Sequence, residues 1–112
     1  MMLEVNGKTV PTCDEGYLLD PTDWDETVAQ ALAQRDGLEL TDLHWRVLKF
    51  IRDYYDEHGV AVDARFVIKY LDESLGLGRK GRATLYQLFP YGYAQQTCKI
   101  AGMRRPRAWS TG

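Results

Sequence analysis

Four side chains of this 112-residue chain are best suited to covalent or acid–base chemistry: Cys13, Cys98, His44 and His58. They are scattered singly, whereas zinc ligands come in close pairs. Neither a metal nor any other cofactor is therefore expected. Ser74 and Ser110 are the only serines, and neither sits in a nucleophile elbow. Gly76-Leu77-Gly78-Arg79-Lys80-Gly81 has the glycine spacing of a dinucleotide loop, but that spacing carries meaning only after a strand. Here it follows a helical pattern and reads as a basic interhelical loop. The thiols remain. Cys98 has Lys99 beside it and more cations downstream, and nearby positive charge raises the thiolate fraction. Packing competes with that reading, because Ala94, Cys98 and Ala101 share a helical face and free cysteine is among the most buried residue types. Cys13 follows Pro11-Thr12 in a loop and is expected to be exposed.

The second candidate feature is charge. The net charge of −2 conceals a split. Residues 1–60 carry 13 acidic and 5 basic side chains, and residues 61–112 carry 3 and 9. No acid follows Glu73. Arg65, Lys69, Arg79, Lys80, Arg82, Lys99, Arg104, Arg105 and Arg107 are thus candidates for binding an anionic partner, including nucleic acid. The competing view is a solvated surface whose two ends neutralise each other.

Several elements must position these groups. Leu3 and Val5 alternate with polar neighbours, Asn6-Gly7 is a strong two-residue turn signal, and Thr9-Val10 resumes the pattern, so the chain opens with a β-hairpin. A helix is expected from Asp23 to Arg35, with Trp24, Val28, Ala31 and Leu32 as its apolar stripe. A second, the clearest, runs from Thr41 or Asp42 to His58 and ends at Gly59. Trp45, Leu48, Ile51 and Tyr55 face inward, and Arg46, Lys49, Arg52 and Asp53 cover the outside. A third, about Asp63 to Leu75, turns Phe66, Val67, Tyr70 and Leu71 inward. A fourth runs from about Arg82 to Phe89 and a fifth from about Ala94 to Ala101. The fold class is mainly α (α+β): an N-terminal hairpin, then about five packed helices. The second and third are close enough to form a helix-turn-helix-like pair. Residues 1–102 make one domain, and residues 103–112 a flexible basic C-terminal arm.

The length allows one domain, since domains run ~100–150 residues. Composition is that of an ordinary globular protein, with 45% hydrophobic and 27% charged residues. Two cysteines cannot build a secreted disulfide scaffold. There is no signal-peptide pattern, and no apolar run nears the ~20 residues of a membrane span. A cytoplasmic protein with reduced thiols and no membrane partner is expected.

Leu85-Tyr86-Gln87-Leu88-Phe89-Pro90-Tyr91-Gly92, followed by Gln96-Thr97-Cys98-Lys99-Ile100-Ala101-Gly102, resembles the DsrC/TusE family. These small sulfur-trafficking proteins are also called the gamma subunit of dissimilatory sulfite reductase. Glu15-Gly16-Tyr17-Leu18, Asp23-Trp24, Leu40-Thr41 through His44-Trp45, Phe50-Ile51-Arg52-Asp53-Tyr54-Tyr55, Arg65 and Lys69 extend the resemblance over essentially the whole chain. It implies a helical domain with an N-terminal hairpin, a helix-turn-helix-like element and a mobile arm. In full members it also implies a penultimate cysteine on the arm and a second cysteine on the last helix, here Cys98, whereas TusE-type members keep only the arm cysteine. Family members carry sulfur as a persulfide or trisulfide to sulfite reductase or toward tRNA thiolation.

The chain departs from the family at the arm. The arm cysteine falls at Trp109, and nothing from Met103 to Gly112 is a cysteine. Tyr93 replaces the family's proline after Gly92, Gln95 its following lysine, and Met103-Arg104-Arg105-Pro106 its Leu-Pro-Lys-Pro; Val62 stands where proline is usual. Some relatives lacking these cysteines are thought to be regulatory. The resemblance therefore implies an accessory or regulatory protein of sulfur metabolism that acts by binding sulfite reductase, a sulfur-relay protein or DNA. The alternative is a single-cysteine carrier holding a persulfide on Cys98. A third arrangement lets Cys13 stand in for the arm thiol. A stand-alone enzyme is not expected; at most the chain is a sulfurtransferase-type carrier.

Overall fold

The computed structural model describes residues 2–104. Strands β1 (Met2–Val5) and β2 (Lys8–Pro11) pair antiparallel with Leu3 opposite Val10. Leu3, Val5 and Val10 are buried while Glu4 and Thr9 face water, the period-2 pattern of a half-buried ribbon. Asn6 (φ 51°) and Gly7 (φ 78°) supply the two positive φ values that a tight type I′ hairpin needs. An isolated bridge between Thr12 and Leu18 closes the next loop and carries Cys13.

Helix α1 spans Glu26–Arg35 and is capped by the Asp25 carboxylate, which accepts from the Val28 N–H at 2.9 Å. It starts later than its apolar pattern implies. Pro21–Asp23 forms a separate 3₁₀ turn, and Trp24 lies in extended backbone between the two. Helix α2 spans Asp42–His58, as expected, and Gly59 (φ 72°) closes it. Its buried residues Val47, Leu48 and Ile51 form the centre of the core.

Helix α3 (Ala64–Lys69) continues through a π-helical turn, Tyr70–Ser74. Val67 and Leu71 are buried, but Phe66 is 44% exposed. Phe66 instead stacks beside Tyr54 on the outer side, 6.5 Å between ring centroids, with the Arg65 guanidinium 5.7 Å from its ring. Helix α4 spans Gly81–Leu88. A Cβ at Gly81 would lie 2.4 Å from an Asp72 carboxylate oxygen and 2.7 Å from the Ile68 carbonyl. Glycine is what lets α4 start against the end of α3, and the Gly81 N–H donates to Asp72 at 2.7 Å.

The expected fifth helix is divided. A π-helical turn, Tyr93–Thr97, leads into α5, Cys98–Ile100. The core runs from the hairpin through α1 and α2 to Tyr93, Cys98, Ile100 and Met103. Met103, at the start of the expected arm, is 1% exposed and packs in the core. The rest of the expected arm, residues 105–112, lies outside the described residues.

Candidate functional site

Cys98 is completely buried. Burial pushes its thiol up to about 12, and a hydrogen bond with the Tyr93 hydroxyl works weakly the other way. Tyr93 is itself buried, with its ionisation pushed well above the ordinary phenol range, and its hydroxyl donates to the Val62 carbonyl. A phenol has one proton to give. With that proton directed at Val62, the phenol does little to stabilise a thiolate at Cys98, and desolvation dominates. Of the two readings of Cys98, packing is the one its complete burial agrees with, and the Lys99 ammonium sits 5.0 Å from the Tyr17 ring centroid.

The backbone around Cys98 is held from four directions. Met103 N–H donates to the Cys98 carbonyl and Gly102 N–H to the Lys99 carbonyl, both at 3.0 Å, with Gly102 at φ 79°. This is a Schellman closure of α5. Its two remaining carbonyls take partners from elsewhere: Trp24 Nε1–H donates to Ile100 at 2.8 Å, and Arg52 donates to Ala101 at 3.2 Å. Arg52 also donates to the Pro21 carbonyl at 3.1 Å and lies 4.6 Å from the Trp24 ring centroid. All four C-terminal carbonyls of α5 are thereby satisfied, which buried helix ends require. Upstream, Tyr17 donates to the Ala94 carbonyl at 2.8 Å, and Gln96 bridges the Tyr91 N–H to the Asp36 carboxylate. The Thr97 hydroxyl, buried beside Cys98, has no hydrogen-bond partner among the described residues.

Trp24 and Arg52 are the site residues that sequence reasoning placed elsewhere. Arg52 was assigned to the solvent face of α2, yet it is half-buried, and desolvation lowers its pKa from the ordinary arginine value. The signal was present: Trp45, Leu48, Arg52 and Tyr55 follow the three-and-four spacing of an inward stripe, and Arg52 is the charge within it.

The basic candidates differ in their surroundings. Arg65 is ion-paired with Asp63 at 3.4 Å and Lys69 with Glu73 at 3.9 Å, all exposed. Arg79 and Lys80 are exposed in the loop that Gly81 pins to α3, and Arg82 is exposed on α4. Lys99 packs on Tyr17 and, with Glu15, Gly16, Arg35 and Asp36, lines a cleft of about 160 Å³. Arg104 is exposed, and its charge adds to the Thr22 hydrogen bonds that hold the Asp20 carboxyl below the usual range. Arg105 and Arg107 lie outside the described residues. His44 is buried: its Nδ1 accepts from the Thr41 N–H at 3.0 Å, and its Nε2 pairs with the Leu88 carbonyl at 2.7 Å. A backbone N–H can only donate, so Nε2 carries the imidazole proton. His58 is exposed against Tyr54. Cys13 is a free, half-buried thiol. Among the described residues, no three His, Cys, Asp or Glu side chains gather as a metal site would need, and no helix is long and apolar enough to cross a membrane.

Residues 4–108 match the family described as DsrC like protein. The chain is 42% identical over 105 residues to a sulfurtransferase TusE homolog of Haemophilus influenzae, covering 94% of this chain and 96% of that one. It is 40% identical, with the same coverage, to the sulfurtransferase TusE of Pectobacterium atrosepticum. Among solved structures, the oxidized gamma subunit of dissimilatory sulfite reductase from Archaeoglobus fulgidus superposes with TM-score 0.83 at 35% identity, covering 100% of this chain and 98% of that one. DsrC of Allochromatium vinosum superposes with the same score at 42% identity, covering 99% and 96%.

Proposed function

The chain belongs to the DsrC-like protein family, and from that membership we propose that it works as a sulfur carrier in a sulfur relay, with Cys98 as the carrying thiol. The observation that carries this reading is the near-full-length match to sulfurtransferases of the TusE kind. Its partners are then a donor protein bearing a persulfide and an acceptor, either another relay protein or a sulfite reductase. The comparisons favour this reading over the regulatory or DNA-binding role that the missing arm cysteine first implied. The α3 cations Arg65 and Lys69 are each ion-paired with a carboxylate, Asp63 and Glu73.

The step is a sulfur exchange without net oxidation. The Cys98 thiolate attacks the outer sulfur of a donor persulfide. One sulfur–sulfur bond forms at Cys98, the donor's sulfur–sulfur bond breaks, and the donor leaves as a thiolate that takes up a proton. Because Cys98 is buried, the exchange needs the α5 end to open. Cys13, half-buried in the loop before Tyr17, is the competing thiol. The test incubates the protein with a low-molecular-weight persulfide donor and maps the modification by mass spectrometry under non-reducing conditions. The expected product carries one extra sulfur atom on the Cys98 peptide and none in the Cys98→Ser variant. Loading confined to Cys13, or no loading, refutes the assignment.

A further inference from the structure

We infer that Trp24 and Arg52 form a latch on the turn from Cys98 to Gly102 that sets how readily the Cys98 sulfur reaches solvent and a docking partner. This inference deepens the carrier reading and rests on it.

The geometry leads there in steps. Cys98 is fully buried, so any exchange at its sulfur requires local opening. Such an opening must break the bonds that tie the Cys98–Gly102 turn to the rest of the domain, and local unfolding begins where the fewest contacts must be lost. The element immediately before Cys98 is a π-helical turn, a form frequent at functional sites. What holds the turn down is specific. The Schellman closure is internal to the turn, so it can travel with it. The Trp24 bond to Ile100 and the Arg52 bond to Ala101 cannot. Those two side chains also hold each other, since the guanidinium lies over the indole and ties the Pro21 carbonyl that precedes Trp24. Losing one loosens the other. The backbone at Gly102 lies flat on the indole, closer than any Cβ would allow, so the latch fits a single residue type there. Trp24 and Arg52 are therefore positioning residues. They touch backbone carbonyls of the thiol-bearing segment and not the sulfur itself.

The test measures alkylation of Cys98 by iodoacetamide in the full chain under native conditions, with peptide mapping to separate it from Cys13. Urea unfolding of each variant is measured in parallel. Trp24→Phe keeps the ring and removes the N–H; Arg52→Gln removes the charge and shortens the reach; Arg52→Lys keeps the charge. Val10→Ala, in the buried face of the hairpin, is the control for general destabilisation. Trp24→Phe and Arg52→Gln are expected to speed Cys98 labelling by about tenfold, the order for losing one net hydrogen bond. Arg52→Lys should fall between them and the wild type. Val10→Ala should leave Cys98 labelling near wild type under the same native conditions. Latch variants that label no faster than Val10→Ala at matched global stability overturn the inference. If the latch variants do not fold, the wild type decides: opening at the latch gives a labelling rate that barely changes in low urea, and a rate that tracks global unfolding overturns it. Alkylation needs no sulfur donor, so the two ideas fail separately. Faster labelling without persulfide loading sinks the carrier reading, and loading with no response at Trp24 or Arg52 sinks the latch.

Discussion

Replacing Gly102 by alanine should cost far more than the same change at Gly59, and the difference measures how tightly the end of α5 lies on Trp24. Both glycines adopt left-handed backbone, φ 79° and 72°. A Cβ in that region costs roughly 1–2 kcal/mol, and alanine recovers about 0.4–1 kcal/mol by restricting the unfolded chain. At Gly59 nothing lies within 4 Å of the added carbon, so the net cost there is about 1 kcal/mol. At Gly102 the carbon would lie 2.4 Å from Trp24 Cδ1, 2.7 Å from Cγ and 2.8 Å from Cβ. These atoms are the root of the side chain, with little freedom to swing aside. Moving them breaks the indole bond to Ile100, so a further overpacking cost of about 1–3 kcal/mol is expected. Gly102→Ala should then total about 2–4 kcal/mol, a large part of a typical stability of about 5–15 kcal/mol. Urea unfolding followed by far-ultraviolet circular dichroism measures both variants, provided the slopes with denaturant match the wild type. Equal losses at the two glycines would refute the close approach, and with it the geometric basis of the latch.

Two further outcomes follow from buried polar groups. His44 is held neutral: burial lowers its pKa, more than its bond to the Leu88 carbonyl raises it. The unfolded chain therefore binds the proton more readily, and stability rises with pH across the window between the lowered native value and about 6.5. His44 contributes its full stability above about 6.5 and loses it as the pH falls through the native value. Urea midpoints measured between pH 5 and pH 8 should fall more steeply on acidification for wild type than for His44→Gln; parallel curves would refute the assignment. The unpartnered Thr97 hydroxyl leads to the opposite kind of prediction. Thr97→Val keeps the β-branch and removes a desolvated hydroxyl, so stability should be unchanged or rise by about 1 kcal/mol. A loss above that size in the urea midpoint would mean that the hydroxyl has a partner.

The parts of this fold governed by local rules were legible in the residues. The hairpin followed from Asn6-Gly7 between alternating apolar positions, and α2 from a long stripe closed by Gly59. The places where periodicity misled are those where tertiary contacts decide. Trp24 fits the α1 stripe, but Asp25 is a stronger cap, so the helix starts after it and the indole turns toward Ile100. Phe66 fits the inward face of α3, but its ring lies with Tyr54 on the outside. The last helix reads as regular from its apolar spacing. Its π turn shows in the Thr97 N–H, which donates to the Gly92 carbonyl five residues back, and no composition rule announces that. Cys98 was recognisable as a candidate thiol by resemblance. Its burial was foreshadowed by Ala94 and Ala101 on the same face, and its latch was not, because the two side chains that form it come from segments 46 or more residues away.

On the carrier reading proposed above, a thiol as buried as Cys98 is silent in isolation. With burial pushing the thiol up to about 12, the folded protein carries far less thiolate at pH 7 than a solvated thiol of ordinary pKa, of which a few per cent is ionised. In the proposed opening, exposure of the sulfur to water raises the thiolate fraction and removes the steric block in the same motion. The two barriers are thus coupled through one structural event. Small thiols and disulfides in solution meet a nearly inert protein, while a partner that binds the opened form supplies the driving force from its own contacts. Such a carrier gains specificity from the cost of opening, since only a partner with differential affinity for the released segment can load or unload it.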